Sequence, residues 1–280
     1  MQIIDPLVSI ILPTIDRYEE VNNFIKSLLN SDYKNLELIV VDQNYDSKIA
    51  ALLDIYSESI FITHLVAQFR GASKARNYGA KYARGSILFF PDDDCELFAN
   101  TISLAIETFE NKQSEVVFGR CVDRVKADSV INFYNESDYL TLLKYKGMFI
   151  ETTLFVSKSI FMNFQFDSNL GVGTFHGSEE GHDLVLRMLS KGVRIFYNYN
   201  LIVYHPNKIT GHSQPYEIKR VFTYRCGFAR LCLKHRLYKE YFKRLILVGL
   251  YIPWLAISSP KKLRYYISEL LGLLVGVVIS

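Results

Sequence analysis

The sequence predicts an α/β protein organised around a parallel sheet, and three observations carry that prediction. Short apolar runs alternate with stretches of helical spacing through the first half of the 280 residues, which is the pattern of repeated strand–helix–strand units. The runs end in polar residues, as strands do when their C-termini line a ligand crevice. One run, Ile87 to Phe90, is followed by a proline and three consecutive aspartates, Asp92, Asp93 and Asp94.

The elements follow in order. Val8 to Leu12 is a strand closing on Pro13 and Thr14, and Val21, Phe24, Ile25, Leu28 and Leu29 then fall at helical spacing. Leu36 to Val41 is a second strand ending at Asp42; a weaker helix runs through Ile49, Leu52, Leu53 and Tyr56, and a third strand lies near Ile60 to Val66. From Gly71 to Ala80, small residues with Lys74, Arg76 and Asn77 open a helix. They can present N–H groups and cations to an anion, or pack an Ala and Gly face on the sheet. Strands are expected over Glu115 to Cys121 and Phe149 to Val156. Gly171 to Thr174 forms a loop running into Glu179, Glu180, Gly181, His182 and Asp183. From Asp183 a helix passes through Leu184, Val185, Leu186, Met188 and Leu189 and closes on Lys191 and Gly192. Two more strands, Val193 to Tyr197 and Leu201 to Tyr204, end at His205 and Pro206.

The aspartate turn carries the most chemistry. Three like charges delivered to one turn by a buried strand cost stability unless a cation or hydrogen-bond donors hold them. The turn therefore asks for a divalent metal, and a nucleotide diphosphate is the matching ligand. An acidic turn or helix N-cap without chemistry is the alternative.

With 49% hydrophobic residues the chain suits one large core. The formal net charge of +3 hides an asymmetry: from Tyr216 onward there are 12 Lys and Arg against 3 acids, leaving 20 against 26 before it. We expect one catalytic domain over residues 1–215 and a basic, apolar helical tail over 216–280 that faces an acidic partner surface. Cys95, Cys121, Cys226 and Cys232 lack zinc-type spacing and suit a reducing compartment. Met1 to Pro6 does not read as a secretory signal.

In the tail, Leu245 to Ser259 and Ile267 to Ile279 each fall short of the roughly 20 residues that span a bilayer, and Pro253 and Gly272 interrupt them. They read as interfacial or re-entrant helices. Tyr251, Trp254, Tyr265 and Tyr266 suit the headgroup layer, and the basic residues suit anionic lipid. Packing on the catalytic domain or on a second subunit, as a homo-oligomer, is the alternative. Basic and aromatic interleaving without a nucleic-acid-binding fold signature argues against a nucleic-acid partner.

The ordered set of motifs resembles the family-2 glycosyltransferases of the GT-A fold. The matching pieces are the strand with Pro13 and Thr14, the strand ending at Asp42, the Gly71 to Asn77 loop-helix, Asp92 to Asp94, the Glu179 to Asp183 helix start and the Tyr204, His205, Pro206 ending. They span roughly residues 7 to 206. The resemblance implies a Rossmann-like mixed sheet flanked by helices and a nucleotide-sugar donor, a UDP-sugar first. It also implies a Mg2+ or Mn2+ ion on the diphosphate. By that resemblance Asp42 contacts the base with Thr14 near it, and Arg76 lies against base or phosphates with Asn77 beside it. Asp92, the first acid of the DxD motif, lies near ribose and metal, Asp93 joins it in binding the donor, and Asp94 is the direct metal ligand. His205 completes the metal shell or touches phosphate.

The acidic helix start is implied to supply the base that deprotonates an acceptor hydroxyl, with Glu180 the first choice and Glu179 and Asp183 the others. The expected reaction is inverting transfer to a glycan or lipid-linked acceptor at the cytoplasmic face of a bacterial inner membrane, in surface polysaccharide synthesis. A non-catalytic nucleotide-sugar-binding scaffold subunit is the alternative function. After Asp42 many members carry a second Asp and then Gly-Ser, whereas this chain has Gln43, Asn44 and Tyr45.

Overall fold

The computed structural model describes residues 5–207 and 211–278. Residues 1–4, on which the reading of the N-terminus partly rests, and Ile279, the end of the second apolar stretch, lie outside the described residues. The chain forms two compact units. One takes Met1–Arg70, Ala75–Gln165 and Arg187–Lys208; the other takes Gly71–Lys74, Phe166–Leu186 and Ile209–Ser280.

In the first unit, β1 (Val8–Thr14) is buried along its whole length. Helix α1 (Tyr18–Leu29) turns Val21, Phe24, Ile25 and Leu28 inward at helical spacing. Strand β2 (Leu36–Asp42), α2 (Lys48–Tyr56), β3 (Ile62–Val66), α3 (Ala72–Ala80) and β4 (Ile87–Phe89) continue the alternation. Next come β5 (Glu96–Leu97), α4 (Thr101–Lys112), β6 (Val116–Val122), β7 (Asp138–Tyr139), β8 (Phe155–Ser157), α5 (Lys158–Phe164) and, after α6 (Glu180–Ser190), which begins in the second unit, β9 (Ile195–Tyr204). Among the described residues the strands form one mixed sheet in the order β3-β2-β1-β4-β8-β6-β9-β5, with β7 paired to β9. The β1–β2, β2–β3 and β1–β4 pairs are parallel, and β8 runs antiparallel to both β4 and β6. The chain leaves β1 toward β2 and β3, then returns to place β4 on the other side of β1. That reversal opens a crevice beyond the strand C-termini.

Close packing explains the small residues of α3. A Cβ on Gly79 would stand 2.6 Å from Ile11 Cγ2 and 2.9 Å from Val41 Cγ2, and Ala75 and Ala80 are fully buried.

Two strand expectations need correction. Phe149 to Val156 is not one strand: Glu151–Thr153 is a single 3-10 turn and only Phe155–Ser157 pairs. The Thr153 hydroxyl donates to Gly119 O at 3.1 Å and accepts from Gly119 N–H at 3.2 Å, so a side chain replaces the ladder there. Conversely, the two strands expected over Val193 to Tyr204 are one. Register jumps from Phe118 opposite Tyr197 to Arg120 opposite Ile202, so β9 absorbs the extra residues as a bulge. Gly119 permits it, because a Cβ there would stand 2.2 Å from Leu201 O.

Glu37, buried on β2, ties β1 to the turn before β4. It accepts from Ser9 Oγ at 2.6 Å, from Arg84 N at 2.7 Å and from Arg84 Nε at 2.8 Å. Burial alone would raise its carboxyl, but the Ser9 hydroxyl and the Arg84 amide and guanidinium outweigh it and hold it below the usual range. A depressed folded-state value contributes stability above the unfolded value of about 4.3, and that stability is lost as pH falls through the lower folded value. We expect Glu37→Gln to lose about 1–3 kcal/mol at pH 7. Urea titrations at stepped pH should show the gap to wild type closing in acid; a constant gap would show that the charge is not the cause.

In the second unit, α7 (Pro215–Lys234) opens with a capping box between Gln214 and Glu217. Helices α8 (Tyr238–Ser258) and α9 (Pro260–Val275) follow. Ala229, Cys232, Tyr241, Val248 and Leu273 form their shared core. Buried Glu269 on α9 accepts from Arg225 Nε of α7 at 2.7 Å and from Arg244 Nε of α8 at 2.8 Å, which ties the three helices together. The apolar stretches differ from expectation in length. Helix α8 runs 21 residues straight through Pro253, so it is long and apolar enough to cross a membrane by length and composition, with only 17% of its most apolar window buried.

Candidate active site

The register of the sheet brings the strand-end residues together. Thr14 stands opposite Asp42 across the β1–β2 pair, next to Pro13 opposite Val41. On the other side β4 pairs with β1 up to Phe89 opposite Ile10, and the chain continues through Phe90 and Pro91 into the aspartates. Cys95 N–H donates to Asp92 O at 3.1 Å and closes the turn.

Two arginines resolve the three-charge problem, and only one of them is among the residues picked from the sequence. Arg76, buried on α3, places Nη2 2.6 Å from Asp92 Oδ1, with Asn77 half-buried beside it. Arg17, from the β1–α1 loop, places Nη1 3.1 Å from Asp93 Oδ1 and also pairs with Asp94 Oδ2. Thr14 Oγ1 donates to Asp93 Oδ2 at 2.8 Å. Burial pushes the Asp93 carboxyl up to about 7, with Arg17 and Thr14 opposing and the neighbouring aspartates adding to the rise. Asp93 is therefore partly neutral near physiological pH, which lowers the repulsion within the turn.

The residues fit a divalent cation. The Asp94 carboxylate, the Cys95 thiol and His205 offer atoms within 4.8 Å of one another. His205 Nδ1 lies 2.9 Å from Pro206 O, and since a carbonyl only accepts, Nδ1 carries a proton. In the neutral ring, Nε2 is then an acceptor standing 3.4 Å from another acceptor, Asp94 Oδ1, and a cation or an extra proton belongs between them. Burial raises the Cys95 thiol well above its usual range, so it would give up its proton only to a bound cation. A carboxylate oxygen with an imidazole nitrogen fits Mn2+ better than Mg2+, which prefers oxygen alone.

Asp42 is buried and held from two sides. Its Oδ1 accepts from Asn44 N at 2.9 Å and Asn44 Nδ2 at 2.7 Å, and its Oδ2 lies 3.0 Å from His64 Nε2 on β3. The departure at Gln43 to Tyr45 thus builds a turn that orients the carboxylate. A groove of about 280 Å³ beside it is lined by Asp16, Arg17, Tyr18, Asn44, Asp46 and Lys48, among others. A larger groove of about 480 Å³ shares no residue with this constellation.

The second unit holds the acidic helix start, which begins earlier than expected, at Glu180 instead of Asp183. Glu180 is buried, and its side chain lies against Gly171 (φ +105°), where a Cβ would stand 3.0 Å from Oε1. Glu179 has φ +73° and its Oε2 lies 3.0 Å from His182 Nδ1. Asp183 is fully buried, with Oδ1 2.8 Å from both His235 Nε2 and Lys234 Nζ.

Sequence reasoning missed Arg17, His64, Lys234 and His235. Arg17 had one local signal, a basic residue just past a polar strand end. His64 had a weaker one, an ionisable residue in an otherwise uncharged strand whose partner strand ends in Asp42.

The comparisons agree with this architecture. The family model for Glycosyl transferase family 2 matches residues 9–170. The chain is 27% identical over 187 residues to the GalNAc(5)-diNAcBac-PP-undecaprenol beta-1,3-glucosyltransferase of Campylobacter jejuni, covering 62% of this chain and 57% of that protein. It is 30% identical over 115 residues to the UDP-Glc:alpha-D-GlcNAc-diphosphoundecaprenol beta-1,3-glucosyltransferase WfgD of Escherichia coli, covering 41% and 46%. The chain thus spans about half the length of these curated relatives. Among solved structures it resembles the mannosyltransferase PcManGT of Pyrobaculum calidifontis in complex with GDP-Man and Mn2+. The TM-score is 0.65 at 15% identity, over 99% of this chain and 88% of that one. It also resembles S. aureus TarS 1-349 in complex with UDP-GlcNAc, with a TM-score of 0.61 at 16% identity over 94% and 90%. A family match over more than half of the chain, on a mixed sheet with its acidic turn at the end of β4, makes this chain a member of glycosyl transferase family 2 with the GT-A fold.

Proposed function

We propose that this chain is an inverting, metal-dependent transferase that moves a sugar from a UDP-sugar to a hydroxyl of an undecaprenol-linked glycan. The work would take place at the cytoplasmic face of a bacterial inner membrane, in surface polysaccharide synthesis. The observation that carries it is the Asp92–Asp94 turn, buttressed by Arg17 and Arg76 and facing His205, beside Thr14 and Asp42. The relatives' names support the acceptor class, since both named above act on undecaprenol diphosphate-linked sugars, and one name specifies UDP-Glc.

Each residue has a task in this reading. Asp42, oriented by Asn44 and His64, keeps a lone pair on Oδ2 for an N–H of the nucleotide base. Asp94 and His205 would hold the cation, with Asp92 beside them. When bound, that ion supplies countercharge to the diphosphate leaving group. Arg76 and Arg17 add fixed positive charge close by, and Asp93 with Thr14 holds Arg17 in place. Glu180 removes the proton from the attacking hydroxyl, and one carboxylate suffices for a single displacement that inverts the anomeric carbon.

A panel of UDP-, GDP- and dTDP-sugars, scored by thermal stabilisation with and without Mn2+ and then by transfer to an undecaprenyl diphosphate-linked sugar, tests the reading. A saturating UDP-sugar, about 100-fold above its Kd, should add about 2.7 kcal/mol in the presence of Mn2+. Stabilisation without turnover would favour the scaffold function. No response to any nucleotide sugar would remove the donor assignment.

The tail reading extends this proposal. Phe242, Ile246, Leu250, Trp254 and Ile257 form an exposed stripe at helical spacing along α8, and Ile267, Leu271, Leu274 and Val278 form another along α9 and just past its end. Tyr251 stacks on Trp254 at 5.1 Å and meets Tyr266 edge-on at 5.0 Å, with Lys261, Lys262 and Arg264 exposed nearby in sequence. Such a surface suits the interface of anionic lipid. Truncation at Leu245 would strip Glu269 and Leu273 from the unit's own interior, so the test keeps the full chain. Replacing Ile246, Leu250, Trp254 and Ile257 by Ser should weaken flotation with anionic vesicles about 100-fold or more, because each buried side chain contributes about 1.5–3 kcal/mol. Unchanged flotation would assign the stripe to another partner.

A further inference from the structure

Helix α7 grips the polypeptide on both sides of the acidic helix start. Ahead of it, Gly177 N–H donates to Thr223 O at 2.9 Å and Ser178 Oγ donates to Tyr224 O at 2.9 Å. Gly227 lets the two backbones meet, since a Cβ there would stand 2.7 Å from Ser178 O and 2.9 Å from Ser178 N. Behind it, Lys234 and His235 at the C-terminal end of α7 converge on Asp183 Oδ1, and Lys234 Nζ also reaches Asp167 Oδ2 at 2.7 Å. Residues 179–182 lie between these two sets of contacts, and all of them belong to the second unit.

We propose that Lys234 and His235 are positioning residues for the acceptor-side base, which makes α7 part of the catalytic apparatus as well as the start of the basic tail. The proposal rests on the reading of Glu180 as that base. Asp183 is three residues beyond Glu180 on the first turn of α6, so anchoring its carboxylate fixes the rotation of the turn that carries Glu180. The segment needs such support. Glu179 sits in the left-handed region at φ +73°, a conformation that persists in a non-glycine residue only when its surroundings impose it. A base works only when held close to its productive position, and displacement of about 1 Å costs about 100-fold in rate. A carboxylate this buried, held by a lysine and a histidine, is weak evidence for stability as such, whereas a fixed geometry is what it provides. The end of α7 suits Lys234, since helix C-termini favour positive charge.

The test is steady-state kinetics on the full chain with a UDP-sugar and an undecaprenyl diphosphate-linked acceptor, alongside thermal unfolding and calorimetric donor affinity. His235→Leu and Lys234→Met should each lower kcat about 10-fold or more while donor KM stays within about 2-fold, because the donor's ligands are untouched. His235→Gln, whose amide N–H can replace the Nε2 donor, should recover most of the loss. Near-normal kcat in folded His235→Leu, with Glu180→Gln inactive, overturns this proposal alone. A loss that tracks unfolding and donor affinity and is not recovered by Gln overturns it as well. Full turnover in Glu180→Gln removes the base assignment, and this proposal with it, whatever the His235 variants do.

Discussion

Glu180→Gln should keep the fold and the donor affinity while transfer falls about 100-fold or more, the signature of losing a general base and not a binding group. The substitution is isosteric, so the close approach of this side chain to Gly171 is preserved. Two comparison variants sharpen the result. Glu179→Gln should retain most turnover, since its carboxylate is engaged with His182. Asp183→Asn removes the charge facing Lys234 and His235 in a fully buried position and should cost about 3 kcal/mol or more of stability. Rates must be measured beside unfolding midpoints. A large rate loss confined to Glu179→Gln, or to a still-stable Asp183→Asn, would move the base to that residue.

Asp94→Ala should abolish the metal enhancement of donor binding, lowering affinity for the UDP-sugar in the presence of Mn2+ by about 100-fold or more. The variant removes the carboxylate facing His205 Nε2 and also one of the two acids that hold Arg17. Arg17 retains Asp93, and Arg76 retains Asp92, so the positive charge near the turn is kept. Calorimetry with and without Mn2+ separates the two effects: residual metal-independent affinity is expected, and metal-dependent affinity is not. Persistence of the metal enhancement in the folded variant would overturn the assignment of Asp94 as the direct ligand.

The order of the elements and the strand-end positions of Thr14, Asp42 and Asp92 to Asp94 were legible because they depend on local periodicity. A run of apolar residues buried on both faces reads the same whatever it packs against, and a strand's last residues point to the crevice whatever lies across it. Legibility failed where side chains compete with the backbone. Thr153 breaks the strand expected over Phe149 to Val156, and the bulge at Gly119 and Leu201 joins two expected strands into one. It also failed for Pro253, whose presence in the apolar run reads as an interruption although α8 continues through it.

From the amino-acid sequence alone came the α/β class, the GT-A resemblance, the acidic turn with its demand for countercharge, and the basic, apolar character of the tail. Tertiary structure alone decided what meets that demand and what holds each acid. Arg17 reaches Asp93 across 76 positions, His64 reaches Asp42 across 22, and His235 reaches Asp183 across 52. None of these separations is a helical or strand period. Burial makes an unpartnered charge costly and so requires that each acid find a partner, but which partner it finds depends on how distant segments pack, and no local pattern encodes that.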